Sequence, residues 1–349
     1  MSFDLKEQKN QIIADKSTEV KKDKNKKEFI SPNENNQQNN SAISIEKDNL
    51  DSKENQKELK FLQLSEYYMK NISEELISKY GNYYLSSFDQ KKLKIPPEGF
   101  MSKHKINLKI RTKMVDWMLE VFHTLNSNEL TIFAAVNIMD QYFWKCKDIL
   151  KSEDVHLIGV VCIYLASKTY DLLPIPINNL IHSVAHDMFT QKTIKETEKK
   201  IVKAIDFEVM IPTTYEFIQF LLYDFYINNK STIDELNIKP KLGIFENCAI
   251  WLAKMCNHFE KYSSVPPTYL SLGCVLIAFD MMKDSCETFN EDMQKFFKDW
   301  LQFLINKIGK TPEIKSTIQN IYISIEASYR EFRQMNLGNL VKHHELYFD

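Results

Sequence analysis

The sequence predicts an all-α chain: two five-helix bundles in tandem, preceded by an N-terminal helix and a disordered tail. Three observations carry that expectation. Gly and Pro are scarce, 7 and 10 in 349 residues. Apolar residues recur at helical spacing from about position 60 onward. Each half of the chain also holds one stretch that is apolar nearly all round, which on a helix marks the middle of a bundle or a membrane span. In the first, VHLIGVVCIYLASKTYD from Val155 to Asp171, the apolar part is about a dozen residues. A bilayer needs ~20, so this is expected to be a buried central helix. Gly159 and Ala166 let neighbouring helices come close.

Residues 1–57 are rich in Lys, Asn, Gln, Glu and Ser, with no aromatic after Phe29. Such a composition cannot bury enough surface to fold and reads as a disordered tail. It carries a basic run, Lys21 to Lys27, which is either an import signal or a solvated charge run. It also carries Ser31-Pro32 and the tripeptide Lys53-Glu54-Asn55. From Lys60, the residues Leu62, Leu64, Tyr68, Ile72 and Leu76 suit an amphipathic helix, and Pro96, Pro97 and Gly99 mark a loop.

A strong helix is expected over Asn107–Leu125, its stripe of Ile110, Met114, Trp117, Met118, Val121, Phe122 and Leu125 interrupted by Arg111 and Asp116. Thr131–Phe143 follows, with Asp140 on or near its apolar face, then the central helix. Lys168 sits where that helix leaves the core, because Lys is rarely buried alone and a cation suits a helix C-terminus. After Pro174 and Pro176, a short helix is expected over Ile177–Ala185 and a longer one over Thr193–Ile205. Pro212 marks a boundary. The second set is Tyr215–Tyr226, Ile244–Phe259, Pro267–Met282, Glu291–Ile308 and Pro312–Phe332, with the apolar run again third. Thr311-Pro312 reads as an N-cap with Pro in the first helical position. The expected division is 1–57 tail, 58–212 first bundle with its leading helix, 213–333 second bundle and 334–349 C-terminal tail.

Composition excludes several classes. A net charge of -2 argues against a dedicated nucleic-acid or membrane-surface protein. No signal peptide or membrane-length apolar run is present, so nucleus and cytoplasm are expected. The six Cys form no C-x-x-C pair and fall mostly within apolar helical segments, as small core residues. His182 and His186 are four apart but lack the H-E-x-x-H pattern, so no metal site is expected. With no G-x-S-x-G, P-loop or G-x-G-x-x-G, a binding module without cofactor or metal is favoured over an enzyme.

The stretches IRTKMVDWMLEV (110–121), AAVNIMDQYF (134–143), LASKTYD (165–171) and ETEKKIVKAIDFEVMIPTTYEFIQF (196–220) resemble, in order and spacing, the cyclin box. With the second repeat, the resemblance covers roughly 60–333, and Ile106-Asn107 before Arg111 is similar to the mitotic A/B-type group. It implies two cyclin folds in a regulatory subunit that binds and activates a cyclin-dependent kinase and controls cell-cycle progression at G2/M or mitosis. Lys168 and Glu198 match the family's kinase-binding pair, beside Tyr170 and Asp171, while Tyr68 and Ile72 match leading-helix positions that pack on the kinase. Arg111 and Asp140 match a structural ion pair between the first two helices. Met114, Trp117 and His156 match the substrate-docking patch. Lys113 stands there in place of an apolar residue and His156 in place of Gln, so Arg-x-Leu docking is expected to be weak or altered. The family's paired acidic residues shrink here to Asp171 alone, which leaves the choice of kinase open. The tail contains no Arg and so no R-x-x-L, which makes Lys53, Glu54 and Asn55 the candidate signal to the ubiquitin-ligase machinery. The competing reading is a transcription-type cyclin-fold protein on promoter DNA or general factors. It lacks a basic stripe in the repeats.

Overall fold

Asn107 and Asn128 open the first two long helices, each side chain accepting a hydrogen bond from the backbone N–H two residues on, at 2.9 Å. Such caps satisfy donors that a helix start leaves unpaired. The computed structural model describes residues 94–335 and 337–343, all within the unit Ile77–Asp349. The expected leading helix with Tyr68 and Ile72, and the tripeptide at 53–55, lie outside the described residues.

The first bundle comprises α1 (Leu108–Thr124), α2 (Glu129–Lys145), α3 (Asp154–Tyr170), α4 (Ile177–Asn179) and α5 (Gln191–Ala204). The second comprises α6 (Thr214–Asn228), a short α7 (Lys230–Glu235), α8 (Lys239–Asn257), α9 (Pro267–Ser285), α10 (Glu291–Ile308) and α11 (Pro312–Phe332). No strand occurs among the described residues. Thr213 and Glu216 form a reciprocal capping box that starts α6, and Thr311 caps α11 ahead of Pro312, as its sequence predicts.

The two all-round apolar runs are α3 and α9, and both are central. Val160, Val161, Cys162 and Ile163 on α3, and Leu272, Cys274 and Val275 on α9, have no exposed surface. Full burial stabilises an aliphatic side chain by about 1.5–3 kcal/mol, so a helix without a polar face gains most by taking the middle. A glycine sets the close approach on each. A Cβ at Gly159 would lie 1.9 Å from Met114 Cε of α1, and one at Gly273 2.9 Å from Ile321 and Ile325 of α11. All six cysteines are buried and free, and burial pushes the Cys248 thiol up to about 12.

Two segments differ from the sequence expectation. The short helix after Pro176 is a single α-turn that runs into a π-turn, Leu180–Val184, and His182 pairs with Asp187 at 2.6 Å. Within the segment read as a C-terminal tail, Asn339–His343 is a helix, α12, that packs on α1. Leu340 is fully buried there, and the Asn339 amide donates to the Asp116 carboxylate and carbonyl, both at 3.1 Å.

The bundles meet along a polar seam. Arg111 donates to both carboxylate oxygens of Asp140, at 2.8 and 2.6 Å, with both side chains buried. The expected tie between α1 and α2 is therefore present, and it reaches further. Arg111 also donates to the Asn257 carbonyl at 3.0 Å, and the Ser263 hydroxyl donates to Asp140 at 2.6 Å. Lys254 of α8, only 2% exposed, pairs with Glu129 at the start of α2 at 2.6 Å. Burial lowers the Lys254 pKa, and Glu129 opposes that shift. Phe133 of α2 stacks on Tyr215 of α6 at 5.6 Å.

Candidate functional site

The last turn of α3 leaves the core abruptly. Ser167 is fully buried, and its hydroxyl accepts from the Ile175 N–H at 2.9 Å, which pins the chain that follows. One residue on, Lys168 stands at the rim, pairs with Glu198 of α5 and lies over the Tyr164 ring at 4.2 Å. The two side chains named from the sequence thus meet, and a half-exposed ion pair of this kind contributes at most about 1 kcal/mol to folding. Their heads remain within reach of solvent, available to backbone and side-chain groups of a partner.

Tyr170 is half-buried against the core. The carboxylate of Asp171 accepts from the Thr131 hydroxyl at 2.6 Å and the Asn128 N–H at 3.2 Å, so it secures the start of α2. Leu172 and Leu173 then project outward, 91% and 86% exposed. At the end of α5, Asp206 and Phe207 adopt left-handed backbone, φ 56° and 63°. Holding non-glycine residues there costs on the order of 1–3 kcal/mol each. Glu208 anchors the turn between Lys94 and Lys145, while Phe207 and Met210 face solvent. These four exposed apolar residues follow the two helices that carry Lys168 and Glu198. Sequence reasoning passed over them because they lie beyond helix ends, where no period marks them. The available signal was their presence in turns, where polar residues are usual.

A second surface joins α1 and α3. Trp117 meets the His156 ring edge-on at 5.3 Å, and Phe189 also meets His156, at 5.3 Å. Met114 lies buried beneath, seated against Gly159. Lys113 is exposed. The three residues named for the docking patch are therefore gathered in one place, with Phe189 as an addition. Burial lowers the His156 pKa below its ordinary value, and the charge of His186 adds to that. Neutral imidazole suits a row of aromatic rings, since desolvation penalises its charged form.

Comparison with known proteins gives a consistent family. Residues 83–210 match the family model described as "Cyclin, N-terminal domain". The chain is 26% identical over 171 residues to Cyclin-B2-1 of Oryza sativa subsp. japonica, covering 46% of this chain and 40% of that protein. It is 31% identical over 115 residues to G2/mitotic-specific cyclin-2 of Medicago sativa, covering 33% and 34%. The chain thus spans less than half the length of these curated relatives. A viral cyclin from herpesvirus saimiri aligns in three dimensions with a TM-score of 0.47 and 16% identity, over 68% of this chain and 97% of that one.

Proposed function

We propose that the chain is a cyclin that binds and activates a cyclin-dependent serine/threonine kinase in the G2-to-mitosis interval; its residues 83–210 match the cyclin N-terminal domain model. The observation that carries the reading is the Lys168–Glu198 pair, preformed at the rim of the first bundle where α3 and α5 meet. The similarity to B-type and G2/mitotic-specific relatives supports the cell-cycle assignment.

The mechanism is conformational. A kinase whose regulatory helix moves between positions is activated by a partner that binds only the active one. Lys168 and Glu198 supply directional contacts to the ends of such a helix, while exposed Leu172, Leu173, Phe207 and Met210 supply apolar area. The chain acts as regulator and contributes no group to phosphoryl transfer. The aromatic row at Trp117, His156 and Phe189 serves as a substrate-docking surface of altered preference. Signals in 1–57 direct turnover through Lys53, Glu54 and Asn55, and the protein works in nucleus and cytoplasm.

The test is Lys168→Ala with Glu198→Ala in the full chain. Kinase affinity should fall by about 2 kcal/mol or more, as for an interface hot spot. Melting should change little, because the pair is half-exposed. Undiminished kinase activation by the folded double variant would overturn the assignment. Separately, alanine at 53–55 should lengthen the protein's half-life as synchronised cells leave mitosis, with activation in vitro unchanged.

A further inference from the structure

A groove of about 420 Å³ opens on the second bundle, between α6 and α10, on elements that the kinase-binding reading does not use. Its floor is aromatic: Phe225 packs on Phe296 at 5.2 Å and on Trp300 at 4.4 Å between ring centroids. Phe303 stands at its edge, 55% exposed, although α10 is otherwise well sorted into buried and solvent faces. Two carboxylates, Asp224 and Asp299, line it, and α6 ends there at Asn228, so the helix's negative end adds to theirs.

A further observation points to what fits. The ammonium of Lys307 already sits in the groove, 5.3 Å from the Phe303 ring centre and 3.9 Å from the Asp224 carboxylate. The chain's own cation thus occupies an aromatic and acidic position.

We propose that this groove binds an extended peptide segment of a partner protein, anchored by an arginine between apolar residues. The guanidinium displaces Lys307, stacks on Phe303 and forks onto Asp224. Arginine suits this better than lysine, because its planar head stacks and bonds in two places at once. The apolar neighbours cover the half-buried Phe296.

The probe is the blocked pentapeptide acetyl-Ala-Leu-Arg-Leu-Ala-amide, titrated against the full chain by ligand-observed NMR at low salt. Its isostere with citrulline for arginine keeps the shape and removes the charge. The arginine peptide should bind saturably and roughly ten-fold more tightly than the citrulline one. Asp224→Asn with Asp299→Asn should weaken it roughly ten-fold at unchanged melting, and Phe303→Ala should weaken it several-fold. Lys307→Met, which removes the internal competitor, should strengthen it several-fold, and this variant does not depend on the carboxylate pair folding normally. Equal binding of the two peptides, absence of saturation, weaker binding by Lys307→Met, or loss on Trp117→Ala instead would each overturn the proposal.

Discussion

The two central helices, α3 and α9, solve the same packing problem with opposite neighbours. Each is apolar all round and carries a glycine where another helix presses in. On α3 the visitor is Met114, unbranched and flexible, from the bundle's first long helix. On α9 it is Ile321 and Ile325, branched and stiff, from the bundle's last. The surroundings differ too. The second bundle fills its middle with a ring cluster of Phe225, Phe245, Phe289 and Phe297. The first ties α1 to α2 with the buried Arg111–Asp140 pair and gathers Trp117 of α1 and His156 of α3 into one aromatic surface. A shared pattern of apolar positions therefore places a helix, while the residues around it decide which polar and aromatic contacts that bundle presents.

The largest test of this contrast is Asp140→Ala. It strands a buried guanidinium at the junction of both bundles, and the expected cost is about 3–5 kcal/mol in urea denaturation. The nearest counterpart in the second bundle is Tyr262, whose hydroxyl meets Ser328 at 2.8 Å and Ser324 at 3.2 Å. Tyr262→Phe should cost only about 1 kcal/mol, the usual net value of a neutral hydrogen bond.

The paired glycines come next. A methyl at Gly159 overlaps Met114 too deeply for a small adjustment, so Met114 must leave its seat. Gly159→Ala should cost roughly 1–3 kcal/mol by overpacking and should disturb the Trp117 surface above. A methyl at Gly273 would lie 2.9 Å from Ile321 Cγ2 and Ile325 Cδ1, so these must shift too, and branched side chains cannot swing aside as Met114 can. Alanine's helix propensity, better than glycine's by about 1 kcal/mol, offsets part of the cost at both sites, and Gly273→Ala should cost at least as much as Gly159→Ala. A smaller cost at Gly273 would remove the distinction drawn between their neighbours.

The smallest effect is the pH dependence that His156 contributes to the first bundle. The folded chain holds His156 below its ordinary value of 6.5. Between the lowered and the ordinary value the unfolded chain binds more protons, so stability rises with pH there and is lost as pH falls through the lowered value. Melting should decline on acidification below neutrality, and His156→Gln should flatten that part of the decline. An identical pH profile in the variant would show that His156 is not the group responsible.

Much of this was readable from spacing. Each long helix lies within a few residues of its expected bounds, because an apolar stripe is a local periodic signal and caps such as Thr311-Pro312 are local chemistry. Lys168 and Glu198 were legible through the resemblance to the cyclin box, and their pairing adds the geometry. What stayed hidden is long-range and polar. Lys254 lies within an apolar helix and gives no hint that its partner is Glu129, and Asn257 gives none that Arg111 reaches it. The Asp171 carboxylate, read only as a partner contact, is held by Thr131. No period links such residues, since the chain separates them by a whole bundle or a turn of unknown path. The π-turn at Leu180–Val184 was missed for the opposite reason, as its apolar spacing looks helical over so short a span.

The docking of α12 on α1 has a consequence in time. Asn339 and Asp116 are 223 positions apart. During synthesis at roughly 5–20 residues per second, α1 is complete for about ten to forty-five seconds before its last partner emerges. Through that interval the surface that will receive Leu340 faces water on a nascent bundle, while Arg111 waits for the shorter stretch that brings Asn257. The first bundle is thus begun early and completed late, with an apolar seat held open for a helix that begins 223 positions after Asp116.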